Sequence, residues 1–295
     1  MKICFRYNQF LPLILFFSLL LIVSCQKENS QDPAEEQEAS IVSSEADAEA
    51  EIVFNEVFDE TVGVNNEVGM EGIGSLDRVN PNPCYTVTVT RLNPPDLFPV
   101  KVVIDFGSTP CRGLDGHYRR GKIITVYTGR LLNAGSIATT TFDGFYVDTI
   151  RVEGTHKIEN TSASNLTRQF TVDVTNARLT KPSGNFVEWN NHKVITQLEG
   201  LATPFVPLDD VFKIEGSANG RVQRGRLVVA WESNIIEPLF KRFNCRWIVR
   251  GKVRTVRRNT NAAGPWVAVL DFGNGTCDNL AVVTINGVSR QITLR

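Results

Sequence analysis

Ala281-Val-Val-Thr-Ile285-Asn286-Gly287-Val288-Ser-Arg-Gln-Ile-Thr-Leu294 is the stretch on which the fold class turns. Two runs of alternating character meet at Asn-Gly. Both turn residues tolerate the positive φ of a type I′ turn, whose twist matches the flanking strands, so the stretch reads as a two-residue β-hairpin. The same period of two recurs in Tyr85–Arg91, Lys122–Thr128, Phe145–Val152, Phe170–Thr175 and Lys193–Leu198. Turn signals at Asn93-Pro94-Pro95-Asp96 and Lys181-Pro-Ser-Gly-Asn185 separate such runs. No helical period appears after residue 80, and the connections are too short for crossover helices. The expected fold is all-β: an antiparallel meander over residues 79–295, folded as a sandwich or as a curved open sheet.

Upstream of the strands the pattern changes. Ala48, Ile52, Val53, Phe54, Val57 and Phe58 recur at helical spacing, Ser44 can cap, and Glu45, Asp47 and Glu49 suit the positive end of a helix dipole. Residues 44–78 are therefore expected to be a short amphipathic helix followed by a Gly-rich connection. The apolar face would dock on the β-domain, or in the groove of a partner protein. Residues 26–43 are acidic, Ser/Gln-rich and nearly free of large apolar groups, which reads as a flexible tether.

The N-terminus addresses the chain. Lys2 and Arg6 precede an apolar run, Leu11–Val23, that is too short to span a bilayer. Ile22-Val23-Ser24-Cys25 resembles a bacterial lipobox, with Ile where Leu is commoner, which implies a signal peptide over 1–24 and lipidation of Cys25. Gln26-Lys27-Glu28 resembles the Lys-plus-acidic signal that sends Bacteroidetes lipoproteins to the cell surface. The localisation expected is the outer membrane, lipid-anchored and surface-exposed.

The net charge of −1 hides a division. Residues 26–77 carry 15 Asp/Glu and one Lys, whereas 78–295 carry 17 Asp/Glu against 28 Lys/Arg. A basic domain of this kind can attract polyanions such as lipopolysaccharide phosphates, acidic glycans or nucleic acid. It can equally be a solvated surface partly neutralised by the acidic segment of the same chain.

Cys84, Cys111, Cys245 and Cys277 remain after Cys4 and Cys25 are set aside, an even number in an exported chain. An internal repeat constrains their pairing. Cys84 opens a strand, and a second strand ends Val103-Ile-Asp-Phe-Gly107 before Cys111. Cys245 opens a strand, and a second ends Val269-Leu-Asp-Phe-Gly273 before Cys277. A hairpin in which Val256 faces Trp266 sets Cys245 opposite Cys277. Disulfides Cys84–Cys111 and Cys245–Cys277 are expected. A second similarity relates Arg120-Gly121-Lys122 to Arg224-Gly225-Arg226, with Phe-x-x-Phe following each at Phe142–Phe145 and Phe240–Phe243.

Cys245-Arg-Trp-Ile-Val-Arg-Gly251, Leu270-Asp-Phe-Gly-Asn-Gly-Thr-Cys-Asp-Asn279 and Thr284-Ile-Asn-Gly287 together resemble a recurring family of Bacteroidetes lipoproteins. Ile104-Asp-Phe-Gly-Ser-Thr-Pro-Cys111 and Arg120-Gly-Lys-Ile-Ile-Thr-Val-Tyr-Thr-Gly129 fit the same pattern. The likeness runs over most of residues 45–295. It implies location and fold and brings no chemistry with it.

Catalytic constellations are thin. The two Asp-Phe-Gly triplets lack the glycine-rich loop and catalytic loop of a kinase. Asp271 to Asn279 lacks the oxygen-ligand alternation and final Glu of an EF-hand, and a disulfide-held Gly/Asn turn accounts for it. No metal or cofactor is expected. Glu153, Glu199 and Glu215 each precede a glycine, as a repeated bulge would require. Trp189, Trp231 and Trp266 are either sugar-stacking surfaces or buried sheet aromatics.

The best binding candidate is the strand 245–258. There Arg246, Arg250, Lys252, Arg254 and Arg258 share a face with Ile248 and Val256, while Trp247, Val249 and Val253 occupy the other. The function expected is a non-enzymatic, lipid-anchored binding or interaction module of the envelope. Its partners would be the membrane through Cys25 and a polyanionic glycan, lipopolysaccharide or envelope protein, with no nucleic acid. The alternatives are a carbohydrate-active or glycan-binding lipoprotein and a lipid-handling β-groove.

Overall fold

The computed structural model describes residues 33–63, 84–113, 116–164, 166–203, 207–258 and 266–294. The signal peptide, Cys25, most of the Gly-rich connection and the 259–265 loop lie outside the described residues.

Among the described residues one α-helix precedes fourteen strands: α1 (Pro33–Val62), then β1 (Thr86–Arg91), β2 (Val100–Asp105), β3 (Cys111–Arg112), β4 (Tyr118–Tyr127), β5 (Ile137–Val147), β6 (Ile150–Asn160) and β7 (Arg168–Thr180). The series continues with β8 (Phe186–Glu199), β9 (Val211–Arg224), β10 (Leu227–Arg242), β11 (Ile248–Arg257), β12 (Val267–Asn274), β13 (Leu280–Ile285) and β14 (Val288–Thr293). All belong to one antiparallel sheet in chain order, with the short β3 set aside against β4. The meander is therefore an open sheet rather than a sandwich, with β1 and β14 as its edges. The Asn286-Gly287 hairpin joins β13 to β14 in the expected register, Ile285 opposite Val288.

The sheet bends around α1. Trp189, Trp231, Phe170, Phe212, Tyr127 and Phe145 turn inward and are fully buried. Opposite them, Thr171, Asp173, Glu188, His192, Lys213 and Arg221 are exposed or half-buried. Such alternation is what a sheet with one dry and one wet face demands. Bulges help the sheet curve. At Gly251 (φ 115°) the β10–β11 and β11–β12 registers both shift. A Cβ there would stand 2.3 Å from the Pro238 carbonyl oxygen and 2.8 Å from the Leu239 Cα. Gly251→Ala is expected to cost about 2–3 kcal/mol, read as a lower urea midpoint at unchanged slope; an unchanged midpoint would refute the bulge argument. Glu153-Gly154 is a bulge of the same kind, with φ 126° and a shift between Glu153 and Thr155.

The helix departs furthest from expectation. It begins at Pro33, not Ser44, so part of the segment read as tether is ordered helix. Nor is it amphipathic. Every residue from Ala50 to Phe58 is buried, Glu51, Asn55 and Glu56 included, so all of its faces are covered along this stretch. Carboxylates can be buried because the strands supply cations from the concave face. Glu36 pairs with Arg257, Glu45 with Arg224 (2.8 Å), Glu49 with Lys181 (2.8 Å), Glu51 with Lys193 and Asp59 with Lys241. Asp47 accepts hydrogen bonds from the indole N–H groups of both Trp189 (2.8 Å) and Trp231 (3.1 Å). The last turn holds acids and no base, against the helix dipole. This order depends on the cations of the sheet rather than on helix propensity. Burial pushes the pKa of the Lys193 ammonium down to about 8, against the pull of the Asp47 charge.

Both expected disulfides form, with Cα–Cα distances of 5.6 Å for Cys84–Cys111 and 5.9 Å for Cys245–Cys277. The register is one residue off expectation, with Val256 opposite Val267. The Asp-Phe-Gly repeat is structural. The Asp105 carboxylate accepts from Gly107 N–H (2.8 Å) and that of Asp271 from Gly273 N–H (2.9 Å), and Phe106 and Phe272 are buried. Asp105 lies across from Lys122 and Asp271 across from Lys252. The second similarity does not hold in three dimensions. Arg120-Gly121-Lys122 is a bulge inside β4, whereas Arg224-Gly225-Arg226 is the turn between β9 and β10. The counterpart of the former is Arg250-Gly251-Lys252.

Candidate functional site

The basic strand divides on inspection. Arg250, Lys252, Arg254 and Arg258 do lie on the outer face of β11 and its extension, with Val256. Three of the four are engaged there. Lys252 pairs with Glu237 (2.7 Å) and approaches Asp271 (3.7 Å), Arg258 pairs with Glu232, and Arg250 lies over the Phe240 ring. Arg254 alone of the four has neither an ion pair nor an aromatic contact among the described residues. Ile248 is buried rather than outward, and Arg246, ahead of β11, turns to one end of the sheet. The reason is local: Cys245 is tied to Cys277, so the chain enters β11 along the disulfide before alternation begins. Of the outer stripe, Lys252 and Arg258 are neutralised by the protein's own acids, and Arg250 and Arg254 are not.

The structure instead brings Arg246 to a cavity of about 500 Å³ at the C-terminal end of α1. Glu56, Asp59 and Glu60 of α1 form part of its wall. Tyr85 and Phe106 come from one end of the sheet, Phe243, Arg246 and Trp247 from the other, and Cys111, Cys245 and Cys277 bring the two disulfides to its rim. Ring contacts connect this mouth to the core, from Tyr85 to Phe106 (5.5 Å), Phe145 (5.9 Å), Phe142 (5.5 Å) and Phe54 of α1 (6.2 Å). Such contacts fix the aromatic walls. A wall pinned by disulfides and by stacked rings loses little freedom when a ligand binds.

The charges of the mouth are mostly committed. Arg119 reaches both Glu56 (3.0 Å) and Glu60 (3.5 Å), and Lys241 holds Asp59. His117 sits between Glu56 (3.0 Å) and Asp148 (2.6 Å). Burial disfavours its imidazolium, but the hydrogen bond and charge of Glu56, backed by Asp148, prevail and raise its pKa above the ordinary histidine value. Near the mouth Asp210 is buried beside Asp209. Its pKa is pushed up to about 7, chiefly by desolvation, although Gln197 donates a hydrogen bond to it (2.7 Å). Two guanidinium groups are left over. Arg112 is exposed and makes no ion pair among the described residues. Arg246 lies over the Trp247 ring at 4.3 Å, its Nε buried and without a hydrogen-bond partner among the described residues.

Of the tryptophans offered for stacking on sugars, Trp189 and Trp231 are core residues bound to Asp47, and Trp266 packs half-buried against the core. Of the mouth residues, the sequence offered Arg246 as a binding candidate and Cys111, Cys245 and Cys277 as disulfide partners. Tyr85, Arg112 and Trp247 all lie within two residues of a disulfide cysteine, and that adjacency was the signal available. No group of three or more His, Cys, Asp or Glu able to hold a metal ion occurs among the described residues. No described helix is long and apolar enough to cross a membrane. Comparison with protein-family models, with curated proteins and with solved structures finds no match.

Proposed function

We propose that the protein is a non-enzymatic, lipid-anchored recognition module of the bacterial outer membrane, and that it takes a small ligand in the mouth cavity. The observation that carries this reading is the cavity itself. The concave face of the sheet is filled by α1, whereas its mouth is a space of small-molecule size with aromatic walls and a few polar groups at fixed positions. The carboxylates there are held by Arg119 and Lys241, an arrangement suited to shape and charge rather than to proton transfer. Tether length adds a distance. Seven residues lie between Cys25 and Pro33, and the connection spans at most about 29 Å. The mouth is at the far end of a 30-residue helix, about 44 Å further along. The cavity is accordingly at the end of the helix remote from the proposed anchor, within reach of ligands in the aqueous phase.

Cys25→Ala should move the protein from the membrane fraction to the soluble one. The cavity is tested in cells by a photo-reactive amino acid at Leu208, on the cavity wall, with Ile236, exposed elsewhere, as control. A discrete low-mass adduct at 208 and none at 236 is expected. No adduct at either position, or equal labelling at both, would overturn the reading.

A further inference from the structure

We propose that the ligand of the mouth is an amphiphilic anion, its carboxylate or phosphate head held by Arg246 and Arg112 and its apolar body against Tyr85, Phe106 and Phe243. This rests on the mouth being a ligand site at all. The anion follows from which charges are committed. Glu56, Glu60 and Asp59 are engaged by Arg119 and Lys241, and His117 is engaged by Glu56 and Asp148. The cationic capacity that remains is carried by two guanidinium groups, one from the approach to β11 and one from β3.

Arg246 is the stronger of the two. No acceptor among the described residues takes its Nε–H, so the guanidinium is not committed to a carboxylate of the wall, and the part of it that lines the cavity can meet an incoming oxygen anion. Stacking on Trp247 fixes the plane of its fork, which suits two-point contact with a carboxylate or phosphate. The rest of the wall argues for an apolar body. Tyr85, Phe106, Phe243, Trp247 and Leu208 offer aromatic and aliphatic surface, and a purely polar anion would leave it unused. The ligand therefore has one charged end and one greasy end. A free fatty acid and a phosphorylated lipid fragment share this chemistry, and the head group tells them apart.

The test is calorimetric titration of the full mature chain, carrying Cys25→Ala to remove the lipid, with decanoate, decyl phosphate and decyl maltoside below their micelle concentrations. One of the two anions is expected to bind saturably at one per chain, and the stronger of them identifies the head group. Arg246→Gln should weaken that binding at least tenfold. Arg246→Lys, which keeps the charge but loses the fork, should recover part of it, and Arg254→Gln on the outer face should leave it within twofold. If Arg246→Gln fails to fold, Arg112→Gln at the exposed rim carries the same expectation with a smaller loss. Equal binding of decyl maltoside and both anions, indifferent to Arg246, would overturn the anion while leaving the cavity as a site. Absence of binding by all three also overturns the anion. The adduct at Leu208 then decides whether the site survives.

Discussion

A chain from which Pro33–Val62 is deleted is expected not to form the sheet. Val42, Ile52, Val53, Phe54, Val57, Phe58 and Val62 are all buried, and at about 1.5–3 kcal/mol each they contribute roughly 10–20 kcal/mol. A domain of ordinary stability has about 5–15 kcal/mol in total. The deletion also takes the carboxylate partners from Arg119, Lys193, Lys241 and Arg257, so the sheet cannot close over these cations without burying them unpaired, at about 3–5 kcal/mol for each. Starting the chain at Ser44 is milder but still harmful, because it removes Glu36 and leaves Arg257 without its partner. Near-UV circular dichroism and urea unfolding read the outcome. Cooperative unfolding of the helix-less chain with a native near-UV spectrum would show that α1 is a removable insert, and the account of the core given above would fall. Addition of the helix as a separate peptide is expected to restore the sheet in a saturable, salt-sensitive way, since much of the contact is between opposite charges.

The division between what could be read in the sequence and what could not follows from the range of the interactions. Strand alternation, the Asn286-Gly287 turn and the two cysteine pairs are local or nearly so, and they appear in the structure as read. The helix was read half correctly. Its run of large apolar residues begins at Ile52, and apart from Ile41 and Val42 the earlier turns are built from small residues such as Ala39, Ser40, Ser43, Ala46 and Ala48. These small side chains let the strands approach closely, but in sequence they look like tether. Its acids were invisible as core residues, because a buried Glu51 is recognised only by its partner Lys193, which lies on β8. The basic excess after residue 78 and the acidic excess before it were both plain. That the one would be folded inside the other is a property of the sheet's curvature, set by bulges such as Gly154 and Gly251. The mouth is harder still, since Tyr85, Arg112, Phe243 and Arg246 meet only after the whole meander has turned.

His156 is expected to cost the protein stability in acid, well above the pH at which an ordinary carboxylate titrates. This residue lies on β6 under α1, wholly buried, with its ring 6.2 Å from that of Phe54. Neither ring nitrogen has a hydrogen-bond partner among the described residues. Burial alone pushes its pKa down to about 3. The charged groups lining the small cavity beside it, Glu51 of α1 and Lys193 of β8, are paired with each other and offer the imidazolium no surplus carboxylate. Between pH 6.5 and 3 the unfolded chain therefore binds a proton that the folded chain refuses. Stability is fully present above pH 6.5 and is lost as the pH falls, by about 2 kcal/mol at pH 5 and on the order of 4–5 kcal/mol by pH 3. His117 and Asp210 act in the opposite sense, because the pKa of each is raised in the fold. The contribution of His117 is present below pH 6.5 and fades as the pH rises through its folded value, and that of Asp210 is present below about pH 4 and is lost as the pH rises through about 7. Urea unfolding at pH 7, 6 and 5 separates the two. Relative to the native chain, His156→Leu should gain about 2 kcal/mol between pH 7 and pH 5, and His117→Gln should lose stability over the same range. A pH dependence in His156→Leu equal to that of the native chain would mean that the proton enters elsewhere, and the neutral, unpartnered state assigned to His156 would be wrong.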